Sequence, residues 1–255
     1  TLKQLFKIFI LYFLLTLFIF LVLKLINLRI FDSFNLSLTI ISSGGFIPLN
    51  NIDSIINTDF KKIILSLTFL ISFFSIFLSY NIVFFKEKNL NFFSEDFHLL
   101  IYLIFLLLIF YIFFNFDNNF SSISLSITSS ISNIGIYFND TKNNNHFLYL
   151  ILVIIGGSFF STSSGIRFFK LFTLAKFAIN DLLSHTKPKH ILIQKVTFSE
   201  KNVDQLDINK YFLSVIVFVI SLFLITILLT LSNVDFVDAF KLGILTLMNT
   251  VNSSL

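Results

Sequence analysis

Five stretches of this chain each carry enough mainly apolar residues to cross a bilayer, which takes roughly 20 in a helix. They cover residues 6–28, 63–85, 97–116, 147–183 and 211–231, the fourth interrupted after Ile155 and resuming at Ile166. Three shorter segments follow full spans: 32–46, 119–137 and 238–255. They mix Ser, Thr, Asn and Gly with Phe, Ile and Leu, and are too short or too polar to span alone. Such stretches read as re-entrant or interfacial pieces. The order is span, short segment, span; the same again; then span and short segment. That is an internal repeat of about 100 residues, weak in sequence and clear in hydropathy.

A helix satisfies its own backbone where no water can. The fold class expected is therefore an all-α polytopic membrane protein of repeated helix–short segment–helix units. Composition agrees: 56% of residues are hydrophobic, 13% are charged, and the mean hydropathy is +0.90, which excludes an ordinary soluble domain. The first stretch is too long for a signal-peptide core of about 15 residues. Phe reaches 38 residues, much of it expected to face lipid. With no Cys there is neither a disulfide framework nor a thiolate metal site. His98, His146, His185 and His190 stand singly, and no nucleophile triad or phosphate-binding loop is present, so neither an enzyme nor a cofactor is expected. Of the 18 Lys and Arg, twelve fall on the side opposite the short segments and six on theirs, which places the short segments at the outer face. The net charge of +4 follows from these loops and does not point to nucleic acid. The polar stretch 185–209 reads as a cytoplasmic connection, either a solvated linker or a docking site, with a short strand over Ile191–Ile193.

The glycines fall at or near breaks in the apolar segments. Ser42-Ser43-Gly44-Gly45-Phe46 and Ser132-Asn133-Ile134-Gly135-Ile136 both carry Gly at the fourth place of five. Extended backbone after a re-entrant helix can aim carbonyl oxygens at an axis, where they replace the hydration shell of a monovalent cation. The bland alternative is close helix packing at small residues. Residues 156–165 differ: they break the middle of a span, and Arg167 and Lys170 follow at once. A cation at such depth faces a cavity or a partner. The segment reads as an intramembrane loop that gates flow, or else as a static kink.

Residues 155–170, IGGSFFSTSSGIRFFK, resemble the IGG-x-x-GST-x-GG-I/L-K-x-x-R signature of the membrane subunit of bacterial Trk-type potassium uptake systems. That superfamily includes the Ktr and HKT transporters. Phe31-Asp32-Ser33-Phe34 through Phe46 resembles the family's second pore segment, and 249–255, NTVNSSL, its fourth filter. The resemblance covers the whole chain, from the outer helix of the second repeat to the filter of the fourth. It implies four span–pore–span repeats around one pseudo-fourfold pore. It also implies a multi-pass inner-membrane location, a dimer of membrane subunits and a cytoplasmic nucleotide-binding regulatory subunit. The units expected are 1–88 (second repeat), 89–184 (third repeat with a broken inner helix), 185–209 (connection) and 210–255 (partial fourth repeat).

The filter residues implied are Ser43, Gly44, Gly45, Asn133, Ile134, Gly135, Thr250, Val251 and Asn252, with potassium bound there as substrate. The gating loop implied comprises Gly156, Gly157, Ser161, Thr162, Ser163 and Gly165, with Arg167 and Lys170 at the family's basic positions, Lys and Arg exchanged. Phe160 and Ser164 replace small residues or Gly. Asn252 stands where the fourth filter glycine is expected, although an ungapped count from Asp238 puts Val251 there. The first residue, Thr1, and the absent first repeat and last inner helix are expected of a piece of a longer protein. Three readings follow: potassium uptake, by channel-like flow or symport; a sodium-permeable or poorly selective relative; and a non-conducting membrane subunit.

Overall fold

The computed structural model describes residues 2–46, 55–84, 93–114, 120–136, 146–184 and 205–250. Ten helices run through them: α1 Leu2–Leu25, α2 Ile30–Ser42, α3 Asp59–Phe73, α4 Ile76–Phe84, α5 Phe93–Phe114, α6 Phe120–Ile131, α7 His146–Ile155, α8 Phe168–Ser184, α9 Gln205–Leu231 and α10 Phe236–Leu247. The chain is an all-helical, polytopic membrane protein. Among the described residues three helices are long and apolar enough to cross a bilayer unbroken, within α1, α5 and α9. On α9, Phe212, Leu213, Val217, Ile220, Leu224 and Leu228 are all more than half exposed. A continuous apolar surface of this kind is untenable in water and ordinary against lipid.

The other two expected spans are broken helices. The break between α7 and α8 lies where the sequence places it. The stretch 63–85 was expected to be continuous, and the structure corrects this: α3 ends at Phe73 and α4 begins at Ile76. The cause is tertiary. The Ser75 hydroxyl accepts the Phe77 N–H (3.2 Å), the Asp96 carboxylate of α5 accepts the Ser75 N–H (3.0 Å), and the carbonyls of Ser72 and Phe73 are taken by the loop after α7. α9 begins at Gln205, inside the stretch 185–209. The strand expected at 191–193 lies outside the described residues.

Each short helix packs against the long helix before it in the chain, and α6 and α10 also reach helices further back. α2 lies between α1 and α3, α10 lies on α9 and α7, and α6 is wedged among α3, α5 and α7. Every residue of α6 from Ser121 to Ile131 is buried. A buried serine-rich helix stands because its hydroxyls bond back to its own carbonyls: Ser124 to Ser121 (2.9 Å), Thr128 to Ser124 (2.9 Å) and Ser130 to Ser126 (2.7 Å). Small side chains also let neighbouring backbones approach, the main source of helix association where lipid competes for apolar contact. Leu125, Ile134 and Ile136 join a cluster with α1, α2 and α3, whereas Ile123, Ile127 and Ile131 join one with α5 and α7. α6 and the turn after it thus link α1, α2 and α3 to α5 and α7.

Candidate functional site

The three short helices are in register. They start at Ile30, Phe120 and Phe236, and each is followed by a left-handed residue thirteen positions on: Ser43 (φ 50°), Asn133 (φ 58°) and Asn249 (φ 51°). The closing hydrogen bonds match. The N–H groups of Ser43, Asn133 and Asn249 reach Ile40, Ser130 and Thr246 (3.2–3.3 Å). Those of Gly44, Ile134 and Thr250 reach Thr39, Ser129 and Leu245 (2.9–3.1 Å). This pair of bonds is the Schellman closure of a helix C-terminus. Gly45 (φ 69°) and Gly135 (φ 76°) then turn the chain again, at a backbone angle that side chains rarely adopt. The same count reaches Val251, which with Asn252 lies outside the described residues.

The polypeptide leaving the first two turns is tied back to its own helix. Thr39 Oγ1 donates to the Phe46 carbonyl (2.7 Å), and the Ile136 N–H donates to Ser129 Oγ (2.8 Å). Both ties join residues seven apart at equivalent register positions. Sequence reading missed Thr39 and Ser129; the glycines of the matched pentads, Gly45 and Gly135, followed back six residues to two hydroxyls, would have found them. In α10 the equivalent position is Leu245.

The segment between α7 and α8 is a closed loop with a hydrogen-bonded neck. The N–H groups of Ile166, Arg167 and Phe168 donate to the carbonyls of Ile154 (2.9 Å), Ile155 (3.1 Å) and Gly157 (3.2 Å). Gly156 (φ 67°) and Gly165 (φ 100°) face each other across this neck. A Cβ on Gly156 would stand 2.2 Å from the Ser164 carbonyl oxygen, so only glycine fits. Inside the loop, Ser163 Oγ accepts the Gly157 N–H (3.1 Å) and shares a hydrogen bond with Ser161 Oγ (2.7 Å).

Arg167 closes the arrangement. Its Nη1 donates to Ser161 Oγ (2.9 Å) and to the carbonyls of Ser158, Ser161 and Ser163. The guanidinium therefore satisfies loop carbonyls that lack helical partners, a role suited to its many donors. Lys170 lies in the first turn of α8, and its side chain makes no hydrogen bond to the loop among the described residues.

The loop docks on the break between α3 and α4. The N–H groups of Ser158 and Ser163 donate to the carbonyls of Phe73 (3.1 Å) and Ser72 (3.2 Å), Thr162 Oγ1 donates to Ser72 (3.3 Å), and the Ile76 N–H donates to Phe160 (3.0 Å). Two adjacent acids at the start of α5 hold both partners: Asp96 takes Ser75, and Glu95 takes the Phe159 N–H at the loop tip (2.7 Å). Glu95 and Arg167 also attract each other electrostatically. Sequence reading missed Ser75, Glu95 and Asp96. The signal available was a pair of acids opening an apolar span, since ionisable groups there rarely lack a partner.

Ser164 joins the loop to the turns. Asn133 Nδ2 donates to Ser164 Oγ (2.6 Å), and Ser164 Oγ donates to the Met248 carbonyl at the end of α10. The structure thus brings together the expected residues around 133–135, 156–167 and 249–250. Ile134 and Ile136 pack in a cluster with Leu36, Ile40 and Ile41 of α2, which holds no residue of the turn at 43–45. Among the described residues no group of three His, Asp or Glu is placed to hold a metal ion.

No protein-family model matches the chain, and no curated protein matches it by sequence. Its fold does match a solved structure. The potassium transporter TrkH from Vibrio parahaemolyticus aligns with a TM-score of 0.84 at 18% identity, over 97% of this chain and 55% of that one. The chain thus spans about half the length of the transporter whose fold it shares.

Proposed function

We propose that the chain forms part of a potassium uptake pore of the bacterial inner membrane, in which backbone carbonyls after α2, α6 and α10 replace the hydration shell of the ion. The observation that carries this reading is the common register: three short helices, each closed by the same left-handed turn, in a fold shared with a potassium transporter. In this reading residues 43–45, 133–135 and 250–252 line the filter. The loop 156–165 with Arg167 is the gate beneath it, and Lys170 is the gate's second basic residue. The units 1–88, 89–184 and 210–255 are the second, third and partial fourth repeats, joined through 185–209. A homodimer and a cytoplasmic nucleotide-binding subunit complete the assembly, and the ion is the only small molecule required.

A second reading, weaker discrimination between potassium and sodium, is favoured by the register that puts Val251 where Gly45 and Gly135 stand. A β-branched side chain resists a left-handed backbone.

Rubidium uptake by cells expressing the full native chain tests the first reading. Gly135→Ala and Gly45→Ala are each expected to abolish flux while the protein remains in the membrane. Unchanged flux in both variants refutes it.

A further inference from the structure

We infer that Ser164 is a positioning residue that couples the loop at 156–165 to the turns after α6 and α10, so that a cation bound at those turns is felt in the loop. The inference deepens the transport reading and rests on it. In the signature that residues 155–170 resemble, this position is a glycine, which has no hydroxyl to offer. Here the hydroxyl is the meeting point of three elements. Ser164 Oγ donates to the Met248 carbonyl at the end of α10, and Asn133 Nδ2 donates to Ser164 Oγ (2.6 Å).

The direction of each bond follows from the groups involved. A carbonyl only accepts, so the single proton of Ser164 is committed to Met248. Its oxygen then accepts, and the Asn133 amide turns its NH2 group towards it. Asn133 and Met248 are buried, at 0% and 3% exposure, so water is a poor substitute for either bond. Each partner belongs to a turn. Asn133 is itself the left-handed residue after α6 (φ 58°), and Met248 directly precedes the left-handed Asn249 (φ 51°). In the loop, the neighbouring Ser163 takes the Gly157 N–H (3.1 Å), and the Ser164 carbonyl lies against Gly156 at the neck. A shift of either turn therefore pulls on Ser164 or leaves a buried polar group without its partner, and the coupling acts equally in both directions. The turn after α2 is built alike but stands apart: among the described residues no hydrogen bond joins 43–46 to the loop.

The test is hydrogen exchange of the full native chain in detergent, in potassium chloride against choline chloride, for wild type, Ser164→Ala and Ser164→Thr. In wild type, potassium is expected to slow exchange of the turn amides of Ile134 and Thr250 and, with them, the loop amides of Gly157 and Ser163. In Ser164→Ala the turn amides keep their response, while the loop response falls about five-fold, the factor that corresponds to one net hydrogen bond. Ser164→Thr keeps the hydroxyl and restores the loop response. A merely structural role would speed loop exchange equally in both salts and leave its response to potassium in place. That result overturns the inference and leaves the transport reading standing. So does loss of the response in both variants, or potassium protection of the turns without the loop in wild type. The last outcome needs no variant, so a Ser164→Ala chain that fails to fold does not shield the inference. Absence of any potassium response at the turns of folded wild-type protein, together with absence of rubidium uptake by the full native chain, overturns both.

Discussion

The two broken helices solve one problem by opposite means. Between α7 and α8 the break is written into the chain. Glycines at the neck take left-handed angles, serines bond to one another, and Arg167 collects the stranded carbonyls. Between α3 and α4 the local chain is Phe-Phe-Ser-Ile, with no glycine or proline. That break is held from outside, by Asp96 and by the backbone of the first loop. In lipid, an unpaired peptide group costs several kcal/mol, about what a soluble protein loses by burying one in an apolar medium. Each break therefore needs a partner for every freed group, and the two breaks largely supply one another.

The comparison predicts that variants inside the self-made break cost most. Gly156→Ala adds a Cβ 2.2 Å from backbone oxygen in a left-handed conformation. Left-handed strain alone is about 1–2 kcal/mol, and the clash adds to it. The expected outcome is a protein that either fails to accumulate or melts far below wild type in detergent. A melting temperature within a degree of wild type would show that the neck is not as closed as its hydrogen bonds indicate.

Arg167→Met comes next. It leaves carbonyls of Ser158, Ser161 and Ser163 without their charged donor. Hydrogen bonds to a charged group are worth roughly 1.5–3 kcal/mol each, and losing several destabilises the loop by at least that amount. Arg167→Lys keeps the charge without the planar fork and should fall between wild type and Met. Equal melting of Lys and Met variants would mean that geometry, not charge, is what the loop uses.

Asp96→Ala tests the externally held break. It leaves the Ser75 N–H buried without an acceptor, at about 1–3 kcal/mol. Asp96→Asn keeps an oxygen in place and should recover most of the loss. The sharper readout is hydrogen exchange. In Asp96→Ala, amides of residues 75–77 should exchange faster while those of 166–168 in the neck stay protected. Equal acceleration at both would show that the two breaks open as one unit.

The difference between the breaks also explains what was legible in the sequence. The break at 156–167 was visible because its cause is local: glycines and hydroxyls replace apolar residues where a span should continue. The turns after α2 and α6 were visible for the same reason, through Gly45 and Gly135. The break at 74–75 was not, because residues 63–85 are a continuous apolar run and its cause, Asp96, lies 21 positions away. α9 begins ahead of the apolar stretch 211–231 with a polar end, in which Asp207 and Lys210 pair at 3.0 Å. Thr39 and Ser129 escaped notice because a hydroxyl in a short polar helix has many uses. Only the register of three turns separates the two that tie down the following segment.

The smallest effect is expected at Glu95. Its carboxylate accepts the Phe159 N–H at the loop tip, where the side chain is half-exposed and water can take its place. Removing it by Glu95→Ala should cost only about 0.5 kcal/mol, the low end for a single hydrogen bond. If the neck and Arg167 alone hold the loop, melting should stay within a degree of wild type. Hydrogen exchange should then rise only at residues 159–161. If instead the tip is what keeps the loop against the break, the amides of Ser163 and Ile76, which cross between the two, should lose protection together. Glu95→Gln separates charge from hydrogen bonding, because its carbonyl oxygen can accept the same N–H while the attraction to Arg167 is lost. Wild-type protection in Glu95→Gln, with loss in Glu95→Ala, would assign the anchor to the hydrogen bond. Loss in both would assign it to the charge of Glu95, and would make the acid of α5 the point at which the two breaks are fastened.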